Sequence, residues 1–416
     1  MKVSFVKTDR KINFWSLFLL GLLEILPFSN ALGQGSFDLV NRTTRVNFLY
    51  HRNLIILPVM INNQGPYQFI FDTGVSFMII TNPSLTEKLG LKPTSSILVK
   101  GFGNGKAVTA RIVNNLSLKI GKLRGSGFSA AVLPLETLDF SNYVGIPIDG
   151  IIGFDLIKDL TTEIDFNRHL IKFEKADLKK IPKGYEEFPL FIENGRAIIS
   201  VLLEISKGDS ISLNLVLDTG GGNTMFLDLR SNPKMRVPRK SLTANLGWGI
   251  NGPIEGKLAR VESLHIRDIV LNNIIAAFPH YSDSVLRKSL ENGNLGNEIL
   301  RRFRVILDFS GKKLYLKKQV AFRSPFDYDM SGLGFTAEGP DYHHYIISSV
   351  DSLSPGEKAG LKTGDLILFI ENNSAADYTL SEIDQLFRSG DHKVIRILYY
   401  RAGKLNETLL TLKRRI

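Results

Sequence analysis

Two copies of one short pattern supply a pair of carboxylates that could do chemistry. Asp-Thr-Gly occurs at 72–74 and again at 218–220, and each copy closes an apolar run typical of a buried strand. A single copy is typical of a strand that enters a turn, where Asp bonds nearby backbone and Gly takes a positive φ. If Asp72 and Asp218 lie together, however, two carboxylates about 3 Å apart share one proton. The ionised member could activate a water while the protonated member bonds a scissile carbonyl, which is general acid–base hydrolysis of a peptide bond.

The residues beside each aspartate are suited to hold such a pair in place. Thr73 and Thr219 are expected to bond backbone across the interface and to keep the two carboxyl groups coplanar. Gly74 and Gly220 let backbone N–H groups approach the carboxylate oxygens, because glycine has no side chain in the way. The pattern therefore predicts catalysis by the aspartates and support of the site by the threonines and glycines.

Composition excludes several other kinds of site. The 416 residues are 44% hydrophobic and 22% charged, which is typical of a globular protein with room for two or three domains. Cysteine is absent, so disulfides, thiol nucleophiles and cysteine-rich zinc sites are excluded. The net charge of +11 comes without a dense basic tract, so nucleic-acid binding is not supported. No zinc-protease, P-loop or serine-elbow pattern occurs, and we predict no metal and no cofactor.

The part of the chain that contains the two aspartates repeats itself. A glycine-rich tip follows each aspartate at the same spacing along the chain, at Gly101 and at Gly247. A further glycine follows each aspartate at a nearly equal spacing, at Gly153 and Gly296. Short β-runs separated by turn signals fill both halves. We interpret the repeat as two homologous β-lobes, which we place at 37–185 and 186–320.

The paired Asp-Thr-Gly elements, with Ile151-Ile152-Gly153 and Asn294-Leu295-Gly296 after them, resemble the aspartic proteases of the retropepsin and pepsin superfamily. The short lobes are closer to the bacterial retropepsin-like members than to pepsin. The resemblance covers about residues 45–318 and implies a mainly β, bilobal, closed β-barrel fold with a cleft between the lobes. It also implies an aspartic endopeptidase that acts on polypeptides. Since one chain supplies both aspartates, we expect a monomer to be catalytically complete.

The resemblance also implies flaps over the cleft, and the glycine-rich tips fall where flaps would lie. The first tip contains Phe102 and Gly103, and the second contains Trp248 and Gly249. Two interpretations of the aromatic residues are open at this point. They cover bound substrate, or they pack on the rim of the barrel as ordinary hairpin-tip residues.

The sequence departs from the family pattern next to both aspartates. Pepsin-like members carry Ser or Thr directly after the glycine, and its hydroxyl bonds the catalytic carboxylate. Here those positions are Val75 and Gly221, and Asn294 stands where an apolar residue is expected. These departures favour an alternative, a non-catalytic peptide-binding or scaffolding protein that keeps the same fold. The two intact Asp-Thr-Gly elements favour the enzyme.

A third unit follows the lobes, and we place it at 328–416. Its segments Gly332-Leu333-Gly334-Phe335, Ser354–Leu361 and Gly364-Asp365-Leu366-Ile367 resemble a PDZ domain, which implies a small α/β fold. By that resemblance Leu333, Gly334 and Phe335 form the loop that binds a peptide's terminal carboxylate while the peptide adds to a sheet edge. The alternative is a unit that only packs on the protease lobes.

The N-terminal segment 1–33 has the pattern of an export signal. Lys7, Arg10 and Lys11 precede an apolar run at about 14–28, and Ser29-Asn30-Ala31 follows as a small-residue cleavage signature. The run is short for a bilayer span, which needs about 20 apolar residues. We expect a signal peptide and a periplasmic or cell-envelope location, and an uncleaved membrane anchor remains the alternative.

Overall fold

The computed structural model describes residues 24–25, 35–39, 42–100, 107–134, 139–175, 181–249, 252–280 and 291–416. The described chain is mostly β and forms two closed barrels, a sheet that joins them and a C-terminal unit with its own sheet. This confirms the predicted bilobal β-barrel fold followed by a small α/β domain. The predicted export segment lies outside the described residues except for 24–25. None of the helices among the described residues is long and apolar enough to cross a membrane.

The first lobe is a closed six-stranded barrel with additional strands. Its elements are β1 Glu24–Ile25, β2 Ser36–Leu39, β3 Thr43–Asn47, β4 Leu49–His51, β5 Leu54–Ile61, β6 Gln64–Phe71, β7 Met78–Ile80, α1 Ser84–Lys88, β8 Ser95–Lys100, β9 Val108–Ile120, β10 Leu123–Val132, α2 Phe140–Val144, β11 Gly150–Ile152, β12 Leu160–Asp165 and β13 Leu170–Lys175. The barrel strands neighbour one another in the order β9-β10-β7-β11-β6-β5. Pairing of β5 with β9 at Met60 and Lys119 closes the ring.

The apolar run that leads to Asp72 is buried on both of its faces. In β6, Phe69 and Phe71 point into the main core, whereas Ile70 packs into a second cluster on the opposite face. Helix α2 covers this second cluster with Phe140 and Val144. Because alternate side chains of a strand face opposite sides, a strand with two covered faces is apolar throughout.

The second lobe repeats the first. Its elements are β14 Glu186–Pro189, β15 Phe191–Glu193, β16 Arg196–Ser206, β17 Asp209–Leu217, β18 Met225–Leu227, β19 Ser241–Gly249, β20 Gly252–Ile266, β21 Ile269–Pro279, β22 Gly293–Leu295, α3 Asn297–Leu300, β23 Phe303–Asp308 and β24 Lys313–Lys318. The barrel order is β20-β21-β18-β22-β17-β16, and β16 pairs with β20 to close it. Each strand has its counterpart at the same place in the first barrel, so the predicted duplication is confirmed.

A six-stranded sheet joins the two lobes. It contains β3, β12 and β13 from the first lobe and β14, β23 and β24 from the second, in the order β14-β24-β23-β12-β13-β3. The lobes meet where β12 pairs with β23, for example at Ile164 and Val305. The same interface carries the ion pairs of Arg304 with Glu163 and Asp165.

The C-terminal unit has a separate core and a five-strand path with one short added strand. Its elements are β25 Leu333–Glu338, β26 His344–Val350, α4 Pro355–Lys358, β27 Leu366–Ile370, β28 Asn373–Ser374, α5 Leu380–Leu386, β29 Val394–Arg401 and β30 Lys404–Thr411. The strand order is β25-β26-β27-β29-β30, which leaves β25 at one edge. Thr379 and Glu382 form a capping box that begins α5.

Arg302 anchors the linker between the second lobe and the C-terminal unit. Its guanidinium is fully buried and donates hydrogen bonds to the backbone carbonyls of Ala321 (3.0 Å), Ser324 and Pro325 (3.1 Å). It also lies 3.6 Å from the centre of the Phe326 ring. Because these contacts satisfy a buried cation, the linker leaves the second lobe in one fixed direction.

We expect Arg302→Met to lower the free energy of unfolding by about 3 kcal/mol, because the substitution leaves buried linker carbonyls without a donor. Urea unfolding of the full chain, followed by circular dichroism, measures this difference. Arg323→Met is the matched control, since Arg323 is exposed on the same linker and should change stability by less than about 0.5 kcal/mol. Equal stability of the two variants would contradict the anchoring role.

Candidate active site

Equivalent strand pairs position the two aspartates. In the first lobe β11 runs parallel to β6, and the Asp72 N–H donates to the carbonyl of Ile152 at 2.9 Å. In the second lobe β22 runs parallel to β17, and the Asp218 N–H donates to the carbonyl of Leu295 at 2.9 Å. Each aspartate therefore follows directly after its strand, at the same place in the two barrels.

A glycine in each lobe lets the chain pass close to the aspartate loop. A Cβ atom on Gly153 would lie 2.3 Å from the carbonyl oxygen of Val75, and one on Gly296 would lie 2.3 Å from that of Asn223. Such distances are far below van der Waals contact, so the position excludes every residue except glycine. This is the physical reason for the glycine that ends each of the two repeated elements.

Thr73 and Thr219 join the two aspartate loops across the lobe interface. The Thr73 N–H donates to Thr219 Oγ1 at 3.0 Å, and the Thr219 N–H donates to Thr73 Oγ1 at 3.1 Å. The hydroxyl of Thr73 donates to the carbonyl of Leu217 at 2.5 Å, and that of Thr219 donates to the carbonyl of Phe71 at 2.8 Å. All four bonds are buried. The two aspartate loops are therefore joined across the lobe interface by four buried hydrogen bonds.

The carboxyl groups of Asp72 and Asp218 are fully buried and lie within hydrogen-bonding distance of each other. Asp72 Oδ1 accepts the Gly74 N–H at 2.7 Å. A Cβ on Gly220 would lie 2.1 Å from the Asp72 carboxyl, so this glycine permits the approach of the second loop. Asp72 Oδ2 and Asp218 Oδ1 take no hydrogen bond from another group among the described residues. Since the two carboxyl groups also interact directly, the pair can hold one proton between them.

Burial raises the pKa of Asp72 to about 6 and raises the pKa of Asp218 well above its ordinary value. The negative charge of Asp72 raises the pKa of Asp218 further, because two like charges in one buried site repel. The Gly74 N–H at Asp72 and the Asn294 amide at Asp218 oppose the rise, since both donate to the ionised form. The two groups titrate as one unit that keeps a proton into the weakly acidic range.

Asn294 supports the site in a way that the sequence analysis did not predict. Its Nδ2 donates to Asp218 Oδ2 at 2.6 Å, and its Oδ1 accepts the Phe226 N–H at 3.0 Å, which fixes the orientation of the amide. The equivalent residue of the first lobe is Ile151, which has no donor. Asn294 thus supplies the side-chain donor that is missing at Gly221. The signal in the sequence was a polar residue within an apolar strand.

The predicted first flap coincides with a hairpin. Strands β8 and β9 are antiparallel and pair as far as Val99 and Val108. The tip that contains Phe102 and Gly103 lies outside the described residues. Its role over the cleft therefore stays a prediction.

The predicted second flap is also the end of a hairpin. Strands β19 and β20 pair as far as Gly249 and Gly252, and Trp248 pairs with Pro253. Residues 250–251 between the two strands lie outside the described residues. Both interpretations of the tryptophan, cover for a substrate or packing on the rim, stay open.

The structure places the predicted carboxylate-binding residues 333–335 in strand β25, where they are buried. The N–H of Leu333 donates to Ser331 Oγ at 3.0 Å. Just before this strand, backbone N–H groups bind the side-chain carboxylate of Asp329. Asp329 accepts the N–H groups of Ser331 at 3.1 Å and of Gly332 at 2.5 Å. Binding of a peptide's terminal carboxylate by residues 333–335 stays a prediction.

Two family models match the chain. Residues 57–156 match the aspartyl protease model, and residues 346–401 match the PDZ domain model. The chain carries an aspartyl protease domain and a PDZ domain. No curated protein matches it significantly. The protease match contains Asp72 and Gly153 and ends before β12, so Asp218 and the second lobe lie outside it.

We expect Asp72→Asn and Asp218→Asn each to stabilise the protein at pH 8 but not at pH 4. The folded-state pKa values are raised above the unfolded value of about 3.9, so the folded wild type binds a proton more strongly and loses stability as pH rises through about 6. An amide stays neutral at both pH values. We expect the free energy of unfolding of each variant to exceed that of the wild type by about 2 kcal/mol at pH 8.

Urea unfolding at both pH values measures this gain. Asp38→Asn is the control, because Asp38 is exposed on β2. A loss of stability at pH 8, or the same change at both pH values, would show that the carboxyl pair does not share a proton.

Proposed function

We propose that this protein is an aspartic endopeptidase that hydrolyses peptide bonds with a water activated between Asp72 and Asp218. The observation that carries the proposal is the fully buried pair of carboxyl groups, in hydrogen-bonding distance and held by the crossed threonine bonds. The aspartyl protease match around Asp72 supports it. Among the described residues, no group of His, Asp and Glu side chains could hold a metal ion.

The chemistry follows from a pair that shares one proton. The ionised carboxylate accepts a proton from the attacking water, and the protonated carboxyl hydrogen-bonds the scissile carbonyl as its oxygen gains negative charge. The tetrahedral intermediate is not bonded to the enzyme. Transfer of a proton to the amine then releases the two products. The crossed threonine bonds contribute by keeping both carboxyl groups in place during these steps.

The remaining parts of the proposal concern recruitment and location. The PDZ domain would recruit polypeptides or their C-terminal ends to the protease domain, as its match suggests. Both aspartates come from one chain, so a monomer would suffice for catalysis. The N-terminal pattern of basic and apolar residues supports export to the periplasm or cell envelope.

A non-catalytic peptide-binding or scaffolding protein is the second candidate. The observation in its favour is Val75, which is buried directly after the first Asp-Thr-Gly and offers no hydroxyl to Asp72. Among the described residues, Asp72 has no counterpart of the amide donor that Asp218 receives from Asn294. Catalysis tests distinguish the two candidates.

We expect the full chain to cleave a denatured protein substrate with a bell-shaped dependence on pH between about 3 and 8. Asp72→Asn and Asp218→Asn should each lower kcat/KM by about 10³-fold or more, because either change removes the shared proton. Peptide release measured by gel electrophoresis and mass spectrometry tests this, with Asp38→Asn as the control. A folded but inactive wild type would favour the second candidate, and activity that survives both substitutions would refute the assigned site.

The role of Asn294 has its own test. We expect Asn294→Leu to shift the alkaline limb of the pH profile to higher pH, because Asp218 titrates after Asp72 and loss of the donor raises the pKa of Asp218 further. The kcat should fall about tenfold, as expected for a lost hydrogen bond to a charged group. Ile151→Leu at the equivalent position of the first lobe is the control. A rate that falls equally at every pH would mean that Asn294 serves only packing.

A further inference from the structure

The groove of the PDZ domain at which a peptide would add is filled by the protease domain. Strand β25 is at the edge of its sheet, and α5 packs beside it. Helix α2 of the first lobe lies against β25, where it covers the strand that would accept a peptide. Gly145, which ends α2, brings the helix onto Leu380 of α5 and Ala337 of β25. The sheet edge is therefore covered within the chain itself.

Arg52 is the centre of this contact. Its guanidinium forms a two-bond fork with the carboxylate of Asp384 in α5, at 2.8 and 3.0 Å. The same group donates to the carbonyl of Phe335 in β25 at 3.1 Å and to that of Tyr143 in α2 at 2.9 Å. The backbone N–H of Arg52 donates to Ser381 Oγ at 2.7 Å. Arg52 of the first lobe thus forms hydrogen bonds with both β25 and α5, the two elements between which the groove lies.

A carboxylate of the chain itself lies beside the start of β25. Asp329 accepts the N–H groups of Ser331 and Gly332, directly before the strand. Arg52, Asp384, Asp329 and Gly332 line one continuous cavity. A cation and a carboxylate of the chain itself are therefore both part of the lining of this cavity.

The contacts of Arg52 show which ligand the groove prefers. Asp384 and the carbonyl of Phe335 are both acceptors, and the carboxylate of Asp384 is arranged for a planar, bidentate donor. A guanidinium satisfies this arrangement, whereas an ammonium makes only single bonds and a neutral side chain leaves the carboxylate without its counter-ion. The preferred partner is therefore a polypeptide that presents arginine.

We propose that this groove is a peptide-binding site closed in cis by Arg52, and that an arginine-bearing polypeptide opens it by competing for Asp384. Binding in trans then separates the PDZ domain from α2 of the first lobe. The inference deepens the recruiting role of the PDZ domain in the proposed function. Its test measures binding, so it fails or succeeds independently of catalysis.

The turn that carries Arg52 is held by other contacts as well. The side-chain amide of Asn53 donates to the carbonyl of Gly222 and to Glu298, both at 3.0 Å. The carbonyl of Asn53 accepts from Asn297 at 2.7 Å. Because these bonds do not involve the guanidinium, Arg52→Ala should release the groove and leave the turn in place.

The experiment uses the full chain with Asp218→Asn, so that the probe is not cleaved. The probe is a fluorescent decapeptide of serine and valine with arginine at every third position and a free C-terminus. A second peptide carries citrulline, which has the same shape without the charge, at those positions. Fluorescence anisotropy gives the dissociation constants.

We expect Arg52→Ala to bind the arginine peptide at least tenfold more tightly than the parent, because the competing internal ligand is lost. Arg52→Lys keeps the charge without the fork and should show a smaller gain. Asp384→Asn, added to Arg52→Ala, should abolish the preference for arginine over citrulline. Arg396→Ala is the matched control, since Arg396 pairs with Glu407 on an exposed face of the same domain.

Two results would overturn the proposal. One is an equal affinity for the arginine peptide with and without Arg52, in variants whose circular dichroism matches the parent. The other is equal affinity for the arginine and citrulline peptides once Arg52 is removed. Arg52→Lys serves as the second variant if Arg52→Ala does not fold. Failure of every variant to bind either peptide would also refute a peptide site in this groove.

Discussion

The crossed hydrogen bonds between Thr73 and Thr219 are the constraint on which the rest of the structure depends. They are buried, and in a medium of low dielectric constant a hydrogen bond is strong and a missing partner is costly. Each bond joins one lobe to the other, so the two barrels have a single relative position at which all four bonds form. The aspartates come directly before these threonines in the chain. The separation of their carboxyl groups is therefore set by the lobe interface and not by either barrel alone.

Burial raises the pKa values of the carboxyl pair, and the same burial lowers the stability of the folded protein when the pair is ionised. Two acidic groups removed from water favour their neutral forms, and nearby donors only partly offset this. A folded protein tolerates such a site when the surrounding structure holds it rigidly. Here the rigid surroundings are strand β6, which is covered on both faces, and the close passage of the chain at Gly153 and Gly296. The packing around the aspartate loops therefore both stabilises the fold and holds the carboxyl pair in its buried position.

The duplication and the aspartate pair could be predicted from the sequence because their signals are local. Each lobe needs a glycine where backbones nearly touch, so Gly153 and Gly296 recur at similar spacing. The function of Asn294 could not be predicted, because a polar residue in a strand is understood only when its partner is known, and Asp218 lies 76 residues away. The contact of Arg52 with Asp384 spans 332 residues and leaves no local pattern.

The difference between Asn294 and Ile151 has a consequence for how such a protein can evolve. If two identical chains formed the same barrel pair, every substitution would appear twice, and a donor beside one carboxyl would also appear beside the other. In a chain that contains both lobes, a substitution in one lobe is not repeated in the other, so the two lobes can acquire different residues beside their aspartates. Asn294 shows that the halves have already diverged at the point where they meet. Two copies of the first lobe could not reproduce this site, because both would carry an isoleucine there.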